Sequence, residues 1–369
     1  MAEYVFIAFI VIFSIQLFYY LIIFGQFTFS KNKLTKNKLN LPVSVIICAK
    51  NEAENLTTFI PYLISQNYQY FEIVLINDAS TDNSLEIMEQ FKKQHSSKIK
   101  IVDVKPNEQF WGSKKYALTL GIKAAKHNYL LFTDADCKPI SKNWISEMTI
   151  HFSNNKQLIL GYGAYKKIKN SFLNKLIRFE TLITAIQYFS YQKIGLPYMG
   201  VGRNIAYTKN LFYSANGFTN HIKVKSGDDD LFVNQVATKQ NSTYCINSES
   251  FTESLPKTSF KAWIHQKSRH ISTANYYKPI HKLLLGLFYS SQIIFWVMAV
   301  ILIIINYNWQ TTLVIVVARL FIQYLIIGFS AKKLKETDLI LLFPFLEIFL
   351  IIIQMFIFIK NLVTKPTHW

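Results

Sequence analysis

The stretch "LLFTDADCKPI", residues 130–140, decides how this chain is read. It starts as the kind of apolar run that forms a buried strand. It then delivers two carboxylates, Asp134 and Asp136, one residue apart. Two acids just past a strand can point at one hard cation, and Mg²⁺ or Mn²⁺ prefers such oxygen ligands while leaving room for phosphates. A simple turn or helix cap uses the same residues, so the surroundings must decide.

Upstream the same plan repeats. "LPVSVIICAKNEAENL" (41–56) is a β-branched run followed by polar residues that open a helix, and "FEIVLINDASTDNSLEIMEQF" (71–91) is strand, Asn/Asp/Ser turn, helix. "IKIVDV" (99–104) reads as a third strand and "GSKKYALTLGIKAAKH" (112–127) as a helix. Strands alternating with helices predict an α/β domain with a mostly parallel, Rossmann-like sheet. Ligands of such sheets bind beyond the carboxyl ends of the strands. Glu52 and Glu54 follow strand one, Asp78 closes strand two, and Asp134 and Asp136 follow the fourth strand. The acids therefore collect on one rim.

The flanks differ in kind. The chain has 369 residues, is 51% hydrophobic and carries a net charge of +18. Val5–Phe24 is long and apolar enough to cross a bilayer core of roughly 30 Å. It lacks a basic leader and a small-residue cleavage site, so it is read as a retained anchor. Further apolar runs lie at about 283–305, 311–330 and 339–359, the last interrupted by Pro344 and Glu347 and so a poorer span. The expected organisation is an anchor over 1–30, an α/β domain over 40–275 and membrane helices over 280–369, with three or four spans in all. Basic stretches at 31–38 and 331–335 put the α/β domain on the cytoplasmic side of the cell membrane by the positive-inside rule. Residues 170–194 have apolar positions at helical spacing and basic ends, which fits either an interfacial helix or a core helix. Cys48, Cys137 and Cys245 show no paired spacing, so neither a disulfide framework nor a zinc site is expected. No nucleic-acid-binding module is recognised despite the positive charge.

Three more clusters carry chemistry. Asp228, Asp229 and Asp230 stand where a helix begins; the group is either a solvated cap or the home of a general base. Gln266 and Arg269 lie three apart, on one side of a helical turn, and Arg suits a diphosphate. Lys114 and Lys115 open a helix, where backbone N–H groups also favour phosphate.

In order, strand–NE, strand–DAS-x-D, strand–DxD, DDD-L and Q-x-x-R before membrane helices, this set resembles the membrane-anchored inverting family 2 glycosyltransferases with the nucleotide-sugar-binding GT-A fold. The resemblance covers about 41–275. It implies a hexosyl transfer from a nucleotide diphosphate sugar, expected to be UDP-linked, to a membrane-associated lipid or glycan acceptor, with Mg²⁺ or Mn²⁺. It implies that Ala49, Glu52 and Asp78 contact the nucleotide, with Lys114, Asp134, Gln266 and Arg269 completing the donor site and Asp136 holding the metal. Asp229, with Asp228 next, matches the catalytic base; Arg203 in "GVGRNIAY" and Asp230 fall where acceptor contacts are expected. His270 stands where the family has Trp. A processive synthase of the hyaluronan, chitin or cellulose type and a non-catalytic scaffold keeping the fold remain the alternatives.

Overall fold

The computed structural model describes residues 1–31, 40–105 and 114–363. The basic stretch beyond Lys31, Gly112, and Thr364 and Lys365 lie outside the described residues. The chain divides into two units. One comprises the described residues of Met1–Lys31, Asn170–Leu196 and Phe260–Pro366; the other comprises those of Asn32–Lys169 and Pro197–Ser259.

The second unit is the α/β domain. Its strands are β1 (Val43–Ala49), β2 (Phe71–Asp78), β3 (Ile99–Val104), β4 (Tyr129–Phe132), β5 (Cys137–Pro139), β6 (Leu158–Leu160), β7 (Gly163–Tyr165), β8 (Ile205–Thr208), β9 (Ser242–Tyr244) and β10 (Thr252–Ser254). Seven form one sheet in the order β3-β2-β1-β4-β8-β6-β9. The first four are parallel, with Val43 opposite both Phe71 and Tyr129. Strand β8 enters antiparallel between β4 and β6. The direction of β8 depends on how the chain returns, which no local pattern shows.

The central strands are near-continuous apolar runs because helices cover both of their faces. On one face Val43, Val45 and Ile47 pack with Leu56, Ile60 and Leu63 of the helix Ala53–Ile64 and with Trp144. On the other face the helix Lys114–Ala124 approaches β2 so closely that a Cβ at Gly121 would lie 2.1 Å from Ile76 Cδ1. That contact fixes the helix, and hence the lysines at its start, against the sheet.

The strand that opens the acidic stretch ends at Phe132, two residues before the first acid. The chain then turns, with Cys137 N–H donating to the Asp134 carbonyl at 3.1 Å, and runs into a second, three-stranded sheet ordered β5-β10-β7. The two carboxylates therefore sit on the corner where the chain leaves one sheet for the other.

The first unit holds four helices long and apolar enough to cross a membrane: Ala2–Thr28, Pro279–Ile304, Trp309–Lys333 and Thr337–Val363. The last is the run expected to be the poorest span. Its Pro344 lies in the first turn of the helix Phe343–Val363, where no intrahelical N–H is needed. Its Glu347 is 4% exposed and accepts from Arg319 at 2.8 Å, from Gln323 at 2.8 Å and from Gln292 at 3.3 Å. Arg319 also donates to Gln16 at 3.1 Å, so each of the four helices gives a polar side chain to one buried network. The helix Phe172–Ile194 belongs to this unit and is buried over most of its length. Its Arg178 holds Glu336 and Asp338, and its Glu180 pairs with Lys267.

Removing one partner of a buried ion pair strands the other charge, at a cost of about 3–5 kcal/mol. Arg319→Met is accordingly expected to lower the thermal midpoint of the detergent-solubilised protein strongly, and adding Glu347→Leu should restore most of the loss. A loss in the double variant equal to the sum of the losses in Arg319→Met and Glu347→Leu would show that the pair is not coupled.

Candidate active site

The site lies at the carboxyl ends of β1, β2 and β4. Ala49 closes β1, and Asn51 takes a left-handed turn (φ 58°) that leads to Glu52 at the start of the next helix. The β2 loop mirrors it, with Ala79 at φ 51°. The two loops are laced together: Asn51 N–H donates to Ser80 Oγ at 3.0 Å, Thr81 N–H to Asn51 Oδ1 at 2.8 Å, and Ala53 N–H to Asp82 Oδ2 at 3.1 Å. This lacing holds Glu52 and Asp78 on one rim. Burial pushes the carboxyls of both upward.

Asp134 and Asp228 come from distant segments and share one cation. Lys114 Nζ lies 2.9 Å from Asp134 Oδ1 and 3.1 Å from Asp228 Oδ2. Burial alone would raise the Asp134 carboxyl; the ammonium overcomes that and holds it below the usual range. Asp136 has no such partner and is pushed up by burial and by Asp134. A small cavity lined by Cys48, Lys114, Asp134, Tyr207, Asp228 and Asp229 joins these groups.

Asp229 caps the helix Asp230–Val236. Its Oδ1 accepts from Asp230 N–H at 2.7 Å and its Oδ2 from Gly202 N–H at 2.6 Å. A Cβ at Gly202 would stand 3.3 Å from that Oδ2, so a side chain there would crowd the carboxylate. Burial first, then Asp228 and Asp230, lift the Asp229 carboxyl to about 7. Asp230, expected among the acceptor contacts, is instead 7% exposed with its Oδ1 accepting from Leu231 N–H. It suits a loop anchor better than a substrate contact.

Arg203 lies 4.2 Å over the Tyr165 ring and donates to Ser254 Oγ at 3.1 Å. The charges of Asp134 and Asp136 act on it. Beside it, Asn204 is fully buried. It donates to the Tyr162 and Ser250 carbonyls and accepts from Trp144 Nε1, which fixes the Gly202–Arg203 segment. Nothing singled out Asn204 in the sequence, since all three partners are distant. Gln266 and Arg269 lie on the helix Phe260–Thr273, in the other unit.

Ligand atoms of Asp134, Asp136 and Cys137 lie within 4.8 Å of one another. Burial raises the Cys137 thiol well above its ordinary range, and its Sγ lies 3.0 Å from Ser254 Oγ. The ionisable donors are thus two carboxylates, which fits a hard divalent cation of the Mg²⁺ or Mn²⁺ type.

The family model described as glycosyl transferase family 2 matches residues 44–215. The chain is 37% identical over 94 residues to a poly-beta-1,6-N-acetyl-D-glucosamine synthase from Staphylococcus epidermidis, covering 26% of this chain and 21% of that one. It is 34% identical over 128 residues to a glycosyltransferase of Haemophilus influenzae, covering 34% and 37%. The matched part thus spans about a fifth to two fifths of these relatives. Among solved structures, mannosyltransferase PcManGT from Pyrobaculum calidifontis in complex with GDP-Man and Mn²⁺ is similar over 90% of this chain and 99% of that one, with a TM-score of 0.61 and 16% identity. That likeness is one of fold.

Without Lys114 the two acids that share it must carry their charges unaided or hold a proton. Lys114→Met is expected to lower the thermal midpoint more at pH 8 than at pH 5, where protonation of Asp134 relieves the strain. A loss independent of pH would show that the ammonium is not what stabilises these carboxylates.

Proposed function

Because the chain belongs to glycosyl transferase family 2, we propose that it moves a sugar from a nucleotide diphosphate sugar to a membrane-associated lipid or glycan acceptor, with inversion. The observation that carries this reading is the convergence of Lys114, Asp134, Asp136, Asp228 and Asp229 on one rim of a GT-A fold, in a chain with four membrane-length apolar helices among its described residues. The catalytic domain faces the cytoplasm in this reading, on the positive-inside argument.

Ala49, Glu52 and Asp78 take the base and ribose of a nucleotide, with a UDP-linked donor the first choice. Asp136, with Asp134, holds a divalent cation, which would neutralise charge on the departing diphosphate. Lys114 adds fixed positive charge there. Asp229 is the base. Each of its oxygens accepts one backbone N–H and keeps lone-pair capacity for the acceptor's proton. One base suffices because a single displacement inverts the centre, unlike glycoside hydrolysis with its paired carboxyl groups. Arg203 follows Gly202, whose N–H binds this base, and is assigned to the acceptor side.

A base must be ionised to act, so transfer should rise as pH increases through about 7, the point at which Asp229 gives up its proton. The stability effect of this group runs the other way. The folded chain keeps this proton where the unfolded chain, at 3.8, has lost it, so folding is disfavoured progressively from pH 3.8 to about 7. Asp229→Asn is expected to cut turnover by about 10²–10⁴-fold while leaving nucleotide binding intact. The assay is nucleotide release from UDP- and GDP-sugars with Mg²⁺ or Mn²⁺, using the full chain in lipid. Full turnover by the variant would remove Asp229 from the role, and full turnover on soluble acceptors without lipid would remove the membrane acceptor.

Polymer synthesis is the second reading, favoured by the match to a poly-N-acetylglucosamine synthase. Product length separates it from addition of a single sugar.

A further inference from the structure

Lys115 neighbours Lys114 but does not share its task. Successive helix residues point about 100° apart, so two adjacent lysines cannot grip one ligand. The Lys115 side chain is 1% exposed. Its Nζ donates to three backbone carbonyls, those of His221, Val224 and Ser226, each at 2.8 Å. An ammonium has three N–H donors and no acceptor, so all of its capacity is used. Among the described residues no carboxylate lies within ion-pair distance of it.

We propose that Lys115 is a positioning residue, whose ammonium gathers the carbonyls of segment 221–226 and thereby fixes where the following acids, Asp228 and Asp229, stand. Within the segment only the His221 carbonyl also accepts a backbone N–H, that of Val224 at 3.1 Å, among the described residues. The segment ends at Gly227, in a left-handed turn (φ 88°) that passes directly into Asp228. Lys114 holds the Asp228 carboxylate and Lys115 the backbone before it, so one turn of a helix locked to the sheet at Gly121 grips the catalytic loop twice. This role rests on the reading of Asp229 as base; the grip itself does not.

The groups facing Lys115 are Asp228, Asp229 and Asp230, which favour its charge, and His221, which burial keeps neutral down to about 4. Burial outweighs the three acids and brings the ammonium down to about 8. A neutral amine donates only two hydrogens, so the three-carbonyl grip should weaken above that pH.

The test is hydrogen exchange on the full chain in lipid, corrected for intrinsic rates, beside kinetics and binding of UDP or GDP with Mn²⁺ as probe. In the wild type, amides 222–231 should lose protection between pH 7 and 9.5 while β1, β2 and β4 do not. In Lys115→Met those amides should exchange about tenfold or more faster at pH 7 with no further pH dependence. kcat should fall at least about tenfold with nucleotide affinity within about twofold. Unchanged exchange and kcat in the Met variant would overturn the proposal, as would a uniform loss of protection across the sheet. If the Met variant does not fold, Lys115→Gln is measured in its place, and unchanged exchange over 222–231 with unchanged kcat in it overturns the role. Exchange needs no sugar transfer, so a wild type that turns over no donor would defeat the proposed function and leave the grip standing.

Discussion

The α/β domain depends on one electrostatic problem and its solution. Asp78, Asp134, Asp136, Asp228 and Asp229 are brought to the strand ends, where like charges repel; at about 4 Å and an effective dielectric of about 20, one such pair costs about 4 kcal/mol. One partly buried ammonium, Lys114, stands between two acids from distant segments. The helix that carries it is held on β2 at Gly121, where a methyl group would not fit. Sheet packing thus sets the position of the cation, and the cation permits the acids to meet. Two of the acids behave differently: Asp136 and Asp229 are pushed up, by burial first and then by their acidic neighbours.

The membrane unit solves a similar problem with the opposite result. Glu347 and Arg319 neutralise each other, and Gln16, Gln292 and Gln323 take up most of the remaining donors and acceptors, Arg319 Nε excepted. Hydrocarbon leaves no other route, since an unsatisfied polar group there costs several kcal/mol. A network closed in this way specifies which helices meet. The rim of the α/β domain is left partly open, with proton-holding carboxyls and a small cavity among them, as a site that must accept a ligand requires.

Much of this was legible in sequence because it is local. The parallel strands announce themselves as unbroken apolar runs, and the acids follow them within a few residues. The helix start at Asp229 is visible as an acidic cap before "LFVNQV". What escaped depends on partners far along the chain. Strand β8 pairs antiparallel with β4 across more than seventy residues. Asn204 earns its place through Trp144, Tyr162 and Ser250. Lys114 and Lys115 read as one phosphate-seeking pair, although the helical period already set their side chains apart. Pro344 read as a blemish in the last span and proves to sit where helices accept proline.

The geometry also bears on which acid of the triplet can serve as base. Asp230 is buried and turned to its own helix. One oxygen of Asp228 is already taken up by the Lys114 ammonium. Asp229 is bound only by neutral backbone N–H groups, which orient the carboxylate without supplying a counter-charge. A base so held can exchange its proton near pH 7, where proton transfer from an acceptor hydroxyl is served best. The same two N–H groups restrain the rotation of the carboxylate, so the cap that starts a helix also aims the proposed base.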